Sequence, residues 1–418
     1  MTVASRPKVA LSNLGCRVNR VELDAIARSL EELGFSLVEE GAADAVVINT
    51  CAVTGEAEAK ARKAVRHAAH LPQAPLVVAT GCVASLFASE LAELAPNVVV
   101  EPVKDKVAAR VAEELGAGGA EGSWRIASGH AVTPTGRMRP GLKIQDGCDN
   151  RCAYCIVWKA RGKATSTPAD EVVSGVRSLV ASGAREVVLT GIDLGRYEYE
   201  GLSLAGLLSR ILGETNVGRV RLSSIEPAGV TPALLEVMAR CEGRVAPFLH
   251  IPIQSGCDET LARMRRPYTV AEYAEVVRRA REAVPGVAIA CDLIVGFPGE
   301  TDEEFAESLA TCERLGFAKM HVFRYSKRPG TPAAAMPGQV SAEVSSERSR
   351  LMREMAERSR HAYVASLVGV AQDVLVERID RGVSGALVDV RVDLGHTGEL
   401  VRVVPHAASG SVLDARAM

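Results

Sequence analysis

GLKIQDGCDNRCAYCIVWKARG, residues 141–162, sets a short apolar run directly before three closely spaced cysteines. LKIQDG has the character of a buried strand, and Cys148, Cys152 and Cys155 follow it as a C-x3-C-x2-C loop. Three thiolates on one tight loop can hold three irons of a cubane cluster, leaving the fourth without a protein ligand. The amino and carboxylate groups of S-adenosylmethionine (SAM) suit that open iron, and an electron from the cluster can then cleave the sulfonium to a 5′-deoxyadenosyl radical. The competing reading is structural zinc, which prefers paired C-x2-4-C elements and four protein ligands. No fourth ligand is obvious in this loop.

Outward from the loop the chain alternates strands with helices. LKIQDG, REVVLTG, RVRLSS, FLHIPIQ, VAIACDLIVGF and KMHVFRYS are six candidate strands, with helical segments between them. Six β/α units in about 185 residues predict a partial (β/α)6 barrel, being short for eight. Ligands of such barrels gather at the carboxyl ends of the strands, where this loop lies. Residues 341–367 read as one Arg/Glu-laced helix, and the tail from about Gly369 alternates like short antiparallel strands.

Upstream, PKVALSNLGC, ADAVVINTC and PLVVATGC are continuous apolar runs separated by amphipathic helices, the pattern of a parallel sheet covered on both faces. Each run ends in a cysteine: Cys16, Cys51 and Cys82, 35 and 31 residues apart. All strands of a parallel sheet end on one edge, so cysteines distant in sequence can converge there. Repetition at one topological point argues against three cysteines buried merely as small hydrophobes. It predicts a second cluster with an open iron. Cys241, Cys257, Cys291 and Cys312 share no spacing and read as packing residues, and His250 and His321 as hydrogen-bonded strand histidines. The expected organisation is α/β throughout. Residues 1–120 form an N-terminal parallel-sheet domain, 121–140 a linker opened by the glycine-rich 116–123, 141–367 the barrel, and 368–418 a small β domain.

Composition narrows the class. Ten cysteines in a long chain lacking a signal-peptide core point to metal or redox chemistry rather than a disulfide scaffold. No stretch approaches the ~18 consecutive apolar residues of a membrane span, so a cytoplasmic protein with no membrane partner is expected. A net charge of -2 gives no global sign of nucleic-acid binding, and 4% aromatic residues argue against broad base-stacking platforms.

GCDNRCAYC resembles the radical-SAM signature. Together with NLGCRVN, VINTCAVT and VATGC it is similar to the methylthiotransferase family, and the likeness extends through LHIPIQSG, DLIVGFPGET, FRYSKRPGTPA and the tail GHTGELVRV, which resembles the TRAM RNA-binding module. The resemblance implies two [4Fe-4S] clusters, one on Cys148, Cys152 and Cys155 and one on Cys16, Cys51 and Cys82. It also implies two SAM molecules, a methyl donor and a radical source, and insertion of a methylthio group at an unactivated carbon. A primary radical is too reactive to diffuse, so the SAM face of the barrel is expected to present toward the cysteine edge of the first domain.

Tyr154 resembles the position that meets adenine, and Thr190-Gly191-Ile192-Asp193 the segment near the SAM amino group. Ser224, Glu226, Gln254, Ser255 and Asp292 stand at other strand ends as SAM contacts, and Arg161 offers a planar fork to the SAM carboxylate. Trp158-Lys159 stands where the family commonly has a Pro-Tyr-like pair. NTCAVT, residues 49–54, looks most like the branch acting on N6-threonylcarbamoyladenosine of tRNA; other branches act on isopentenyladenosine or on a ribosomal-protein aspartate. Partners are then a tRNA anticodon stem-loop and an electron donor. Arg263, Arg265 and Arg266, with Arg348, Arg350, Arg353, Arg358 and Arg360, are candidate phosphate contacts, against the alternative of a salt-bridged helix face. Rival classes are a non-catalytic iron–sulfur or zinc RNA-binding regulator and a radical-SAM methyltransferase that inserts no sulfur.

Overall fold

A computed structural model describes residues 6–116, 136–392 and 396–417. Most of the glycine-rich stretch 116–123 and of the expected linker lies outside the described residues. The chain divides into two compact units. The first holds residues up to Arg137 together with Gly147–Asp149 and Cys155–Lys163; the second holds Met138–Asp146, Asn150–Tyr154 and everything from Ala164.

The first unit is built on a five-stranded parallel sheet: β1 (Lys8–Asn13), β2 (Ser36–Leu37), β3 (Ala45–Thr50), β4 (Leu76–Gly81) and β5 (Val98–Val100), in the order β2-β1-β3-β4-β5. All six residues of β3 are buried. Val46 and Ile48 pack into one apolar cluster, Ala45 and Val47 into the other. Burial on both faces explains why this strand reads as an unbroken apolar run rather than an alternating one. The flanking helices are amphipathic. α1 (Arg17–Glu32) buries Leu23, Ile26, Ala27 and Leu30. α2 (Gly55–Ala69) is capped by the Thr54 hydroxyl, which accepts the Ala57 N–H at 3.1 Å, and carries acids in its first turn and bases in its last. The short strands β2 and β5 lay below what apolar patterning revealed.

In the second unit, β6 (Gly141–Lys143), β7 (Glu186–Thr190) and β8 (Arg219–Leu222) run parallel, as do β9 (Phe248–His250), β10 (Ala288–Val295) and β11 (Lys319–Arg324). Parallel bridges Val220–Val245 and Ser224–His250 join the two sets into one curved row. This is the expected partial barrel, with all six expected strands present. The tail is more complete than expected. β12 (Gln372–Arg378), β13 (Arg381–Ser384), β14 (Asp389–Arg391), β15 (Leu400–Ser409) and β16 (Val412–Ala417) close into a small barrel. Its core, with Val374, Val388 and Leu413, is continuous with Phe248 and Ala288 at the starts of β9 and β10. Arg219 and Arg221 of β8 grip it through the carbonyls of Asp373 and Gly385, at 2.6 and 2.8 Å.

Candidate functional site

The cysteine loop springs from a two-residue ladder in which Gln145–Asp146 pairs antiparallel with Thr165–Ser166. Gly147 makes the departure possible. Its φ is +70°, and a Cβ there would sit 1.9 Å from the Lys163 carbonyl oxygen, so only glycine fits. Cys148 N–H donates to the Gly162 carbonyl at 3.2 Å, and Arg151 takes a left-handed φ of 48° as the chain turns toward Cys152. All three loop cysteines are free thiols, Cys152 buried and the others half-buried.

Within the second unit, Ala153 is held at both ends. Its N–H donates to Met264 at 3.0 Å, and its carbonyl accepts from Ala333 at 2.9 Å. The Arg266 guanidinium lies against the neighbouring sulfur, with Nη1 2.9 Å from Cys152 Sγ. Nε donates to the Tyr268 hydroxyl at 3.1 Å, Nη2 pairs with Glu226, and the group stacks over the Tyr268 ring. Arg266 is thus a buried neighbour of a cluster-type cysteine, which corrects its expectation as a phosphate contact. Nothing in the spacing of RMRRPY distinguished it from exposed Arg265.

Tyr154, Thr190, Gly191, Asp193, Ser224, Glu226, Gln254 and Ser255, expected as SAM contacts, lie in the second unit, whereas Asp292 stands mid-strand in β10 rather than at a strand end. Gln145, which the sequence did not single out, accepts the N–H groups of Ile192 and Asp193, each at 2.9 Å, and so shapes the turn after β7. Asp193 Oδ1 accepts from Gly195 and Glu226 N–H at 3.1 and 3.2 Å. Burial pushes the Asp193 carboxyl up, and pushes that of Glu226 up to about 7 against the pull of Arg266. The Thr190 hydroxyl oxygen is buried without a hydrogen-bond partner among the described residues. Beside it the Gly191 N–H meets Ser223 Oγ at 3.4 Å. Ser224 lies in the bridge to His250, and Gln254 donates its backbone N–H to Asp292 at 2.9 Å from a φ of 65°. Ser255 Oγ accepts the Cys257 N–H at 3.3 Å, and Tyr154 meets Phe297 edge-on with ring centroids 6.5 Å apart.

In the first unit the three strand-end cysteines converge. Cys16 opens α1 at the surface. Cys51 follows β3, and Cys82 begins the short helix α3 (Cys82–Leu86), both buried. The Cys51 thiol is pushed up by burial first, with Cys16 and Cys82 near enough to add to the effect. Gly81, φ +98°, lets β4 turn into α3; a Cβ there would lie 2.2 Å from the Thr50 carbonyl oxygen. Under the triad runs a polar floor. Asn19 Nδ2 donates to the Thr50 carbonyl at 2.7 Å, and Asn49 Nδ2 to the Asn19 carbonyl at 2.6 Å. Lys104 Nζ reaches Asn49 Oδ1 and Thr80 Oγ1, each at 3.2 Å.

Arg161 belongs to this floor. It ends helix α4 (Val157–Arg161), which packs against α3. Nη1 lies 2.8 Å from Glu22 Oε1, and Nη2 lies 2.8 Å from Asn19 Oδ1. Burial raises the Cys82 thiol, and Arg161 and Lys104 oppose that rise. Asn19, Glu22 and Lys104 were not legible in sequence as a group, because they come from α1 and from a turn some 80 residues later. Three sulfurs with two cations and one buried carboxylate beneath them are a donor set fitted to a polynuclear iron group, whose thiolates need charge compensation.

The remaining candidates are dispersed. Asp292 lies on β10 between His250 and His321. Arg263 pairs with Glu304, Arg348 with Glu300 and Asp302, and Arg350 with Glu347 and Glu354. Arg353 and Arg360 meet backbone carbonyls, and Arg358 lies 3.5 Å from Glu313. The long helix (Ala342–Ala365) therefore takes the salt-bridged reading. Cys241, Cys257, Cys291 and Cys312 are buried. Among the described residues no helix is long and apolar enough to cross a membrane.

Residues 142–312 match the radical SAM superfamily, and residues 8–101 match the uncharacterized protein family UPF0004. The chain is 34% identical to threonylcarbamoyladenosine tRNA methylthiotransferase MtaB of Bacillus subtilis, over 95% of this chain and 90% of that protein. It is 33% identical to the tRNA-2-methylthio-N(6)-dimethylallyladenosine synthase of Novosphingobium aromaticivorans, with 90% and 88% covered. It is 34% identical to the ribosomal protein uS12 methylthiotransferase RimO of Desulforudis audaxviator, with 90% and 86% covered. In fold it is similar to the radical SAM methyltransferase TsrM of Kitasatospora setae, with a TM-score of 0.56 over 79% of this chain and 77% of that one, at 18% identity.

Proposed function

Since the chain belongs to the radical-SAM methylthiotransferase family, we propose that it methylthiolates carbon-2 of N6-threonylcarbamoyladenosine next to the tRNA anticodon, at position 37. The observation that carries the substrate is the 34% identity, along nearly the whole chain, to a protein named for that reaction. Identities of 33% and 34% to the dimethylallyladenosine and ribosomal-protein enzymes keep those two substrates as the alternatives. A cytoplasmic site of action follows from a tRNA substrate.

When bound, two [4Fe-4S] clusters and SAM supply the electron, the radical, the methyl group and the sulfur. The chain's own residues hold and orient these parts. Cys148, Cys152 and Cys155 ligate one cluster, and Cys16, Cys51 and Cys82 the other. Arg266 fixes the Cys152 sulfur by a charge-assisted hydrogen bond. Lys104 and Arg161 offset thiolate charge around Cys82. Tyr154, Thr190, Gly191, Asp193, Ser224, Glu226 and Gln254 form the SAM-facing rim, with Gln145 fixing the turn that carries Gly191 and Asp193. The fork of Arg161 is engaged by Glu22 and Asn19, so its role here is with the first-unit triad rather than the SAM carboxylate.

The test is mass spectrometry of digested tRNA from cells with and without the gene. Loss of the methylthio derivative of threonylcarbamoyladenosine is the expected result. Unchanged levels would remove the substrate assignment, and loss of the isopentenyl product instead would move it to the sister branch. Anaerobically reconstituted protein is expected to bind about eight irons on two-cluster arithmetic and to cleave SAM after reduction. Zinc without iron would favour a non-catalytic RNA-binding regulator.

A further inference from the structure

His250 and His321 stand on separate strands, 71 residues apart in sequence. The structure joins them through Asp292. His250 Nε2 and His321 Nδ1 lie 3.0 and 2.9 Å from the same oxygen, Asp292 Oδ1. Register explains the meeting: Asp292 pairs with His321 across β10 and β11, and His250 pairs with Ala290 across β9 and β10. On β10, Cys291, Leu293 and Val295 are buried, while Asp292 and Ile294 are half-exposed. His321 and Phe323 are their exposed partners on β11. Ile294 packs against the same small apolar cluster, Ala153, Met264, Phe297 and Ala333, as Tyr154 of the cysteine loop. The half-open face of the curved sheet thus shows a layer of Ile294 and Phe323 level with that loop. One strand repeat away, roughly 7 Å, lies a polar layer of His250, Asp292 and His321.

Phe323 is 40% exposed in a chain with few aromatic residues. An exposed ring beside a polar trio is an arrangement that takes a planar base on its apolar part and reads a substituent with its polar part. The chemistry of the trio narrows the substituent. The two imidazoles hold the Asp292 carboxyl well below its ordinary range against the opposing effect of burial. A carboxylate only accepts hydrogen bonds, so both facing ring nitrogens carry hydrogen. With Nδ1–H committed to Asp292, the Nδ1–H tautomer of His321 has Nε2 as its acceptor, whose partner is an N–H or O–H.

We infer that the wall formed by His321, Phe323 and Asp292 holds the target nucleoside, Phe323 stacking under the adenine and His321 accepting a hydrogen bond from a polar N6 substituent. This rests on the substrate reading above. A threonylcarbamoyl group carries urea N–H and hydroxyl donors, whereas an isopentenyl group carries none beyond the N6–H common to both. A site that hydrogen-bonds a substituent rejects an analogue lacking it far more strongly than an apolar pocket rejects one extra group. Asp292 is then a positioning residue that fixes the His321 tautomer, rather than a SAM contact.

The test uses full-length reconstituted protein and synthetic anticodon stem-loops carrying threonylcarbamoyladenosine, isopentenyladenosine or adenosine. Affinity is read by fluorescence anisotropy, and the wild-type product by mass spectrometry. His321→Ala is expected to weaken the threonylcarbamoyl loop about tenfold while leaving the adenosine loop unchanged, and His321→Gln, which keeps an acceptor, to retain most of the discrimination. Phe323→Ala is expected to weaken all three loops about tenfold, and Phe323→Tyr to restore them. Iron content matching wild type establishes that each variant is folded. If wild type modifies the threonylcarbamoyl loop while both alanine variants bind it within about twofold of wild type, this inference falls and the substrate reading stands. If wild type modifies only the isopentenyl loop, the substrate reading falls and His321 loses its assignment with it. One zinc per chain, lost in Asp292→Asn, would make the trio a metal site and also overturn the inference.

Discussion

Arg161, six residues beyond Cys155 in the chain, forks onto the Glu22 carboxylate with Nη1 2.8 Å from Oε1 and Nη2 3.1 Å from Oε2. Both side chains are almost fully buried, at 6% and 3% exposure. Arg161→Ala would take from Glu22 its bidentate partner, with Lys104 Nζ lying farther off at 4.0 Å. Breaking a buried pair by removing one partner costs about 3–5 kcal/mol. The expected outcome is a lower melting temperature and loss of iron from the first-unit triad, read by iron analysis and electron paramagnetic resonance. Arg161→Lys should rescue poorly, since an ammonium cannot serve Glu22 and Asn19 as a planar fork. Wild-type iron retention in the alanine variant would contradict the compensating role.

Cys51→Ala separates the two cysteine sets. The substitution removes a sulfur flanked by Cys16 and Cys82 and leaves the 148–155 loop intact. Iron should fall from about eight to about four per chain. Reductive cleavage of SAM to 5′-deoxyadenosine should continue, whereas methylthio product should disappear. Methylthiolation persisting in this variant would favour chemistry that does not need the first-unit triad.

Much of this was legible in sequence because burial leaves a local mark. β3 reads as ADAVVINTC since both its faces are covered, and the loop cysteines sit within eight residues. Convergence of Cys16, Cys51 and Cys82 could be read too, because parallel strands end on one edge. The rest depends on register. His250, Asp292 and His321 meet through pairings over separations of 42 and 29 residues, and no local pattern sets that alignment. Likewise Arg266 and Arg265 are sequence neighbours with opposite fates. The left-handed φ of 58° at Arg265 turns one outward while the other is buried.

The metal-free thiols should differ in reactivity. Cys16 is exposed, whereas burial pushes the Cys51 and Cys82 thiols up and closes them from solvent. The thiolate is the reactive form, so a raised thiol alkylates slowly at neutral pH. Timed iodoacetamide labelling of iron-free protein, read by peptide mass spectrometry, should modify Cys16 first and Cys51 and Cys82 at least about tenfold more slowly. Equal rates would mean that the triad is open before the cluster binds.

Glu186 governs how the small C-terminal barrel is held. It is fully buried between Arg219 and Arg221, with Arg221 Nε 2.6 Å from Oε1 and Arg219 Nε 2.6 Å from Oε2. The same guanidiniums grip the carbonyls of Asp373 and Gly385. Burial alone would raise the Glu186 carboxyl, but Arg221 and Arg219 bring it below its ordinary value of 4.5. A lowered folded-state value means that the unfolded chain takes up the proton more readily. The stabilisation is therefore fully present above that ordinary, unfolded value and is lost as pH falls through the lower folded one. Glu186→Gln leaves two buried guanidiniums against a neutral amide, a change on the order of 3–5 kcal/mol at pH 7. Hydrogen exchange should then quicken across residues 372–390, and the variant should lose less further protection than wild type between pH 5 and pH 3. Wild-type exchange in the variant at neutral pH would show that the apolar contacts of Phe248 and Ala288 suffice to seat the barrel.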